Sequence, residues 1–426
     1  MPTPNQPPTF SSLLTTLPST LHHLSSLLTA HSIPPPSLSP SSTQKFHTHP
    51  SLLPLRSSLE GQLEHLLLLI RGPHEHLHSL AGRNWDHGAL YAVLRLGMLD
   101  VLAAAAAGTE GVGTGDVARG TRVPVEKVGR LLGLVRCLGV VEGGVEDERW
   151  VLTAVGRELV DDAEFRAWVE FQLFETRVGS AHLADALMRE GNGYGEDGVS
   201  GFKQGWGMEM YDFHEKHGEM GERFRMAMRG VGKAVDPADV LIGKWFDGRP
   251  LGQGKKVVEL GGRYGFGTVP LVKSRAYLTF EVRSDSEEFL QRGLSTVSGK
   301  DLQRVAACVV DDLSAAWKEG DVQDVSVYLI RNLLWNWSDG DAIKLLLSLL
   351  PTLQQNMNAR IIVTDGVSPR VDEFPAHVEI AYRRRDITTM IMHNVKQRSQ
   401  AEWLELFAQV DPGIKVSILI SFGASD

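Results

Sequence analysis

From Lys255 onward the sequence alternates short apolar runs with helical stretches, and nothing else in it restricts the fold as tightly. Val257 to Leu260, Tyr277 to Val282, Val305 to Val310, Val325 to Ile330 and Arg360 to Thr364 read as strands, with helical stretches between several of them, Asp341 to Leu350 included. Strands that alternate with helices are joined in parallel by helices that cross the sheet. The expected fold is α/β, with a doubly wound, mostly parallel sheet. Residues around Ala376 to Met392 and Val416 to Phe422 complete this domain, placed at 251–426.

The first half of the chain has helical periodicity instead. Leu13, Leu14, Leu17, Leu21, Leu24, Leu27 and Leu28 recur at helical spacing and stop before Pro34-Pro35-Pro36. An apolar face on a helix outside the main body needs a cover, so 1–58 reads as a linker and an arm packed on a second subunit. Leu59 to Leu80 and Asn84 to Leu102 read as two further helices. Gly115-Asp116-Val117-Ala118 then opens a short helix, Pro124 starts another that runs to Cys137, and Val140-Val141 pairs with Trp150-Val151-Leu152 across a Gly-rich turn. Helix, helix and hairpin make a winged helix, and 59–165 is assigned as an all-helical, winged-helix dimerisation domain. Residues 166–250 form a helical connector, broken by the Gly-rich loop at Gly191 to Gly207.

Composition removes several classes of function. A chain of 426 residues with net charge −9 is too long for one core and too acidic to seek a phosphate backbone or an anionic membrane. Lys127, Arg130 and Arg136 on the second winged-helix helix do not reverse that balance. Cys137 and Cys308 are the only cysteines, each inside an apolar run, so no disulfide framework or thiolate metal site is expected and the compartment is read as reducing and cytoplasmic. The histidines crowding residues 22–87 lack metal-site spacing, and no metal is expected. No apolar run approaches the roughly 18 residues of a membrane span.

Lys256-Val257-Val258-Glu259-Leu260-Gly261-Gly262-Arg263-Tyr264-Gly265 is a strand running into a glycine turn. At the carboxyl edge of a doubly wound sheet such a turn lets a nucleotide-like ligand approach the backbone, although a plain structural turn has the same pattern.

Further features place this turn in a sequence of landmarks. The arm, the Trp85 to Leu102 helix and the winged helix precede it, as does Tyr211 to Met228 with Glu215-Lys216-His217 and Arg223-Phe224. Tyr328-Leu329-Ile330-Arg331 leading to Trp337-Ser338-Asp339, then Ile362-Val363-Thr364-Asp365 and a helix expected from Asp386 to Arg398, follow it. In this order, from about Leu24 to Val416, the chain resembles the fungal class I S-adenosylmethionine-dependent O-methyltransferases, which are caffeate O-methyltransferase-like. The resemblance implies a Rossmann-like domain, an interlocked homodimer, S-adenosylmethionine at the sheet edge and a small-molecule acceptor pocket between the domains.

Carried over position by position, the family's residues are only partly present. Glu259 stands where an acid is expected, and Gly261, Gly262 and Gly265 are retained, while Arg263 replaces a glycine. The ribose-binding aspartate falls on Ser284, with Glu281 and Asp285 near enough to substitute, and Asp312 keeps the position of the adenine contact. Cofactor binding is therefore expected to be weakened. The family's general base, a histidine, falls on Trp335, the aspartate after it is Asn336, and a supporting glutamate is Gln397 between Lys396 and Arg398. An indole N–H only donates and cannot take a proton from an acceptor hydroxyl.

The resemblance extends to methyltransferase-like pericyclases of fungal pathways, which implies dehydration or a Diels-Alder, hetero-Diels-Alder or Alder-ene closure of a polyketide-derived intermediate. Such reactions need shape control and a donor to a carbonyl that gains charge, not a strong base. Arg385 or His182 is assigned as that donor, Asp386 as the orienter of Arg385, and Trp335 as a flat wall. Phe171, Phe174, Glu175, Met228, Met390, His393 and Asn394 are assigned to the substrate pocket. Two other readings stand beside this one: methylation of an acidic phenol, and a noncatalytic dimer partner.

Overall fold

The computed structural model describes residues 8–42, 45–105, 111–144, 149–189, 191, 193, 198–233, 242–243, 245–247, 251, 254–261, 268–285, 287–295, 297–315, 325–356 and 358–417. The arm is a helix, Phe10–Ala30, whose cap Thr9 accepts from the Ser12 amide. Its apolar face lies on its own chain: Leu24 packs with Ile33, Phe46 and Leu52, and Gln62 donates to the Thr20 hydroxyl at 3.0 Å. Phe10, Leu14 and Leu21 remain exposed. The break expected near residues 81–83 is found earlier, inside Leu53–Arg95, where Gly72 adopts φ 66° and ψ 177° before Pro73. Proline disfavours the helical conformation in the residue before it, and glycine alone takes this φ without strain.

Thr114–Thr121 and Val125–Cys137 are the two helices of the winged unit. Its antiparallel sheet has the order β1 (Val112–Gly113), β3 (Arg149–Leu152), β2 (Val141–Gly143). Val117, Val128, Leu132, Val135 and Leu152 are buried together with Trp150, whose Nε1 donates to the Thr114 hydroxyl at 2.9 Å. In the connector, Ala163–Phe171 continues into a π-helical turn at Gln172–Thr176. The stretch read as one helix from Tyr211 to Met228 is two, Met210–Lys216 and Gly218–Lys233, because His217 leaves helical geometry (φ −110°, ψ 86°).

The second half contains a five-stranded, all-parallel sheet of order β6-β5-β4-β7-β8. The strands are β4 (Lys256–Leu260), β5 (Thr279–Ser284), β6 (Val305–Val309), β7 (Val325–Arg331) and β8 (Arg360–Thr364). One face is covered by Leu345, Leu346, Leu349, Trp403 and Leu406, the other by Ile242, Phe246, Leu271 and Val272. This is the doubly wound, Rossmann-like arrangement the sequence predicts. Strand order reverses at β4, which opens a crevice at the carboxyl ends of β4 and β7. Most of the expected last strand, residues 418–422 of Val416 to Phe422, lies outside the described residues. Among the described residues no single helix is long and apolar enough to cross a membrane.

Candidate functional site

The crevice is built first from the residue after β4. Gly261 has φ 90°, and a Cβ there would come within 2.9 Å of the Leu333 side chain, so only glycine closes this turn. Gly262, Arg263 and Gly265 lie outside the described residues. Glu259 is buried at the end of β4 and accepts the hydroxyl of Thr268, the first residue of the Thr268–Ser274 helix, which ties the two sides of the turn together. Ser284 ends β5 fully buried, its hydroxyl 3.4 Å from Asp285 Oδ1. Glu281 is engaged mid-strand by Arg283 at 2.6 Å and Lys256 at 3.4 Å, so it does not stand in at the edge. Asp312, past β6, accepts the Ser314 hydroxyl and amide at 2.6 and 2.8 Å. Those bonds, with Lys344 nearby, hold its carboxyl below the ordinary range. A nucleoside cofactor would thus fit at Gly261 and the ionised Asp312, with Asp285 the nearest carboxylate to the missing ribose acid.

Beyond β7 the chain turns through Asn332 (φ 46°) into a short 3₁₀ turn, Leu334–Asn336. Ser338 then caps the Asp339–Gln355 helix by accepting from the Asp341 amide at 3.1 Å. Three side chains fix the turn through its main chain. Arg398, buried, donates to the carbonyls of Leu334 and Trp337 at 2.7 and 2.8 Å and to Asp339 Oδ1 at 2.7 Å. Gln397 donates to the Trp335 carbonyl at 3.1 Å. Asp365, the residue after β8, accepts the Leu334 amide at 2.9 Å.

Trp335 donates its Nε1 to the Asn332 carbonyl at 3.0 Å. Its one polar hydrogen is spent inside the turn, leaving the ring as what it presents. The Arg385 guanidinium carbon sits 5.6 Å from that ring's centroid, within cation–π range. Arg385 is exposed and makes no hydrogen bond or ion pair among the described residues, so its donors are available to a ligand. Gly366 explains its position: a Cβ there would lie 3.2 Å from the Arg385 guanidinium and 2.9 Å from Gln397 Oε1. His393 meets the Trp335 ring edge-on at 6.2 Å and stacks on Tyr211 at 5.3 Å. Asn336 donates to the Tyr211 hydroxyl at 2.7 Å, which joins this wall to the helical connector.

Trp335, Arg385 and His393 are thus brought together, and other assigned residues are not. Asp386 does not orient Arg385; its Oδ1 accepts the Gln397 amide at 2.7 Å, so it supports the segment after the helix instead. His182 lies at the end of the Arg177–Ala181 helix, 3.5 Å from Asp185 and partly exposed. Phe174, half-buried, stacks on Tyr91 of the Leu53–Arg95 helix at 4.9 Å, and Met228 packs against the cluster that holds Phe171, Phe202 and Phe213. Glu175 is fully buried against Arg223, at 2.6 and 3.1 Å, and burial raises its carboxyl pKa. Asn394 (φ 54°) ends the Ala376–His393 helix over Met390 and donates to the Gly193 carbonyl.

Asp365 has no role in the sequence-based assignment. Burial pushes its carboxyl up to about 6, against the opposing charges of Arg385 and Arg398 and two backbone amides. A signal for it exists: Asp365 follows the Ile362–Thr364 run at a strand's carboxyl end, where ligands of such sheets bind. Its spatial neighbours, on segments distant in sequence, are not readable from that run. Among the described residues no group of three or more His, Cys, Asp or Glu is placed to hold a metal ion.

No family model matches the chain. It is 38% identical over 369 residues to O-methyltransferase phnC of Penicillium herquei, covering 85% of each protein. Its fold is similar to that of LepI in complex with S-adenosylmethionine, with a TM-score of 0.68 at 16% identity and 93% of both chains covered. It is also similar to a structure described as a pericyclic reaction enzyme, with a TM-score of 0.68 at 17% identity over 93% of this chain and 94% of that one. From the curated relative, and with a sheet and crevice of the matching kind, the chain belongs to the fungal class I S-adenosylmethionine-dependent O-methyltransferase family.

Proposed function

We propose that this member of the family does not transfer a methyl group. It catalyses dehydration, pericyclic cyclisation, or both, on a polyketide-derived intermediate of fungal secondary metabolism. The observation that carries the reading is Trp335 with its N–H committed to Asn332 and the Arg385 guanidinium over its ring. The residue at the family's base position cannot accept a proton, while a cation stands ready for an oxygen that becomes more electron-rich in the transition state. The ring and His393 form walls against which a flat reactant is held in one conformer. Fold similarity to a pericyclic reaction enzyme supports the same reading.

Sequence identity to phnC favours a second reading, O-methylation of an acidic phenol. S-adenosylmethionine, when bound, supplies an electrophilic methyl group; Gly261, Asp312 and Asp285 are the described residues that would hold it. Incubation of the purified chain with labelled S-adenosylmethionine and phenolic acceptors, beside a set of ring-conjugated alcohols, separates the two. Water loss or ring closure without label in product is expected, and sustained methyl incorporation overturns the proposal. No turnover in either arm would favour a noncatalytic partner. We also propose a homodimer, since Leu63, Leu67, Leu69, Ile70, Leu77 and Trp85 leave the Leu53–Arg95 helix with an exposed apolar surface.

A further inference from the structure

We infer that His74 and His78, one turn apart on the Leu53–Arg95 helix, are half of a zinc site that a second copy of this chain completes with the same two residues. The inference rests on the homodimer reading above and fixes one point of contact between the two copies.

The helix restarts at this place. Gly72 leaves helical geometry, Pro73 is the first residue beyond it, and Arg71 reaches across the break to donate to the Ser79 hydroxyl at 3.2 Å. Proline suits a first helical position, since it has no amide to leave unbonded. From there His74, Leu77, His78, Ala81 and Trp85 fall at i, i+3, i+4, i+7 and i+11, which is one narrow stripe of the helix. All five are exposed, Leu77 at 64% and Trp85 at 65%. Large apolar side chains bared in a row on one face mark a surface that another protein covers.

The stripe has no Lys, Arg, Asp or Glu, so two copies face one another along it without like-charge repulsion. A two-fold axis makes a patch meet itself, and an axis passing between His74 and His78 gathers four imidazoles at one point. Side chains four apart on a helix have Cβ atoms about 6 Å from each other. By that spacing the H-E-x-x-H pattern holds zinc, and the chain reads His74-Glu75-His76-Leu77-His78. No third ligand joins them from the same chain: among the described residues no group of three or more His, Cys, Asp or Glu is placed to hold a metal ion. One chain thus offers two ligands where structural zinc takes four in a tetrahedron. Neither imidazole makes a hydrogen bond, ion pair or ring contact among the described residues, so both are available. Glu75 and Asp86 border the stripe on one side and place negative charge beside the cation. Spacing alone did not single out these two from the histidines of residues 22–87; their shared exposure on one face does, and the expectation of no metal is revised on that ground.

The test uses the full chain, without a histidine tag, and zinc chloride as the probe. Native mass spectrometry is expected to show a dimer holding about one zinc per two chains. Sedimentation should give a dimer dissociation constant about tenfold or more lower with zinc than with EDTA. Cobalt in place of zinc should produce the intense visible absorption of a tetrahedral site. His74→Gln and His78→Gln should each abolish the zinc and cobalt signals and leave thermal unfolding in EDTA unchanged, while His76→Gln, off the stripe, should keep them. A dimer that holds no zinc and does not respond to EDTA overturns the inference and leaves the homodimer reading standing. Zinc held by a single chain, or kept by His74→Gln and His78→Gln, overturns it as well. A chain that stays monomeric with and without zinc overturns both.

Discussion

Gln397 donates its side-chain amide to the main-chain oxygen of Trp335 at 3.1 Å. A carboxylate in that place would set one acceptor against another. The neutral amide at 397 is therefore matched to the main-chain path of the turn at 335. Gln397→Glu is expected to cost about 1–3 kcal/mol at pH 8, with part of the loss recovered at low pH as the new carboxyl protonates. Denaturant midpoints at two pH values measure it.

Arg385 is exposed and bonded to nothing among the described residues, whereas Gly366 gives it room. Arg385→Gln should leave stability within about 0.5 kcal/mol and lower the rate of dehydration or cyclisation by about 10²–10³. Gly366→Ala should produce a similar kinetic loss by displacing the guanidinium, at a stability cost of about 1–3 kcal/mol. Steady-state rates paired with urea melts on both variants decide this, since a purely structural role would move stability and leave kcat alone.

Two groups shifted by burial oppose one another in their effect of pH on stability. Asp365 is raised from 3.8 to about 6, so its contribution is present below pH 3.8 and is lost as pH rises through 6. His214, pushed from 6.5 to about 4 by burial, works the other way: its contribution is present above pH 6.5 and is lost as pH falls through 4. Each effect is of order 3 kcal/mol, and between pH 4 and 6.5 they largely cancel. Asp365→Asn should uncover a stability that climbs with pH across this window, and His214→Gln one that declines. Parallel slopes in the two variants would contradict the assignment.

Arg223 and Glu175 form a buried pair in which Glu175 Oε2 has no partner among the described residues. Arg223→Met strands the carboxylate and should cost about 3–5 kcal/mol. Adding Glu175→Leu should recover much of that loss, a coupling read from a double-mutant cycle.

The sheet was legible because β7 is buried from Val325 to Ile330, and continuous burial leaves a run that is apolar but for Ser326. The site was legible only where it coincided with a motif. Trp335 could be found by its distance from Trp337-Ser338-Asp339, and Arg385 by its place before Asp386. The roles of Asp386, Glu175 and Phe174 were not readable, because they depend on which of several neighbours a side chain turns toward. Asp386 turns to an amide eleven residues away, and Glu175 to an arginine forty-eight residues away. The first helix break falls earlier than expected for a local reason: Gly72-Pro73 lies within a run whose apolar periodicity continues on both sides.

Every bond described above from the rest of the protein to the Leu334–Trp335 turn ends on a backbone atom: Leu334 N, Leu334 O and Trp335 O. The side chain at 335 adds one bond of its own, from Nε1 to the Asn332 carbonyl three residues back. The turn is a socket whose shape is set from behind, and the residue plugged into it can be exchanged without remaking the mount. A replacement at 335 would therefore change the face this chain offers to the crevice while the main-chain bonds that hold the turn stay in place.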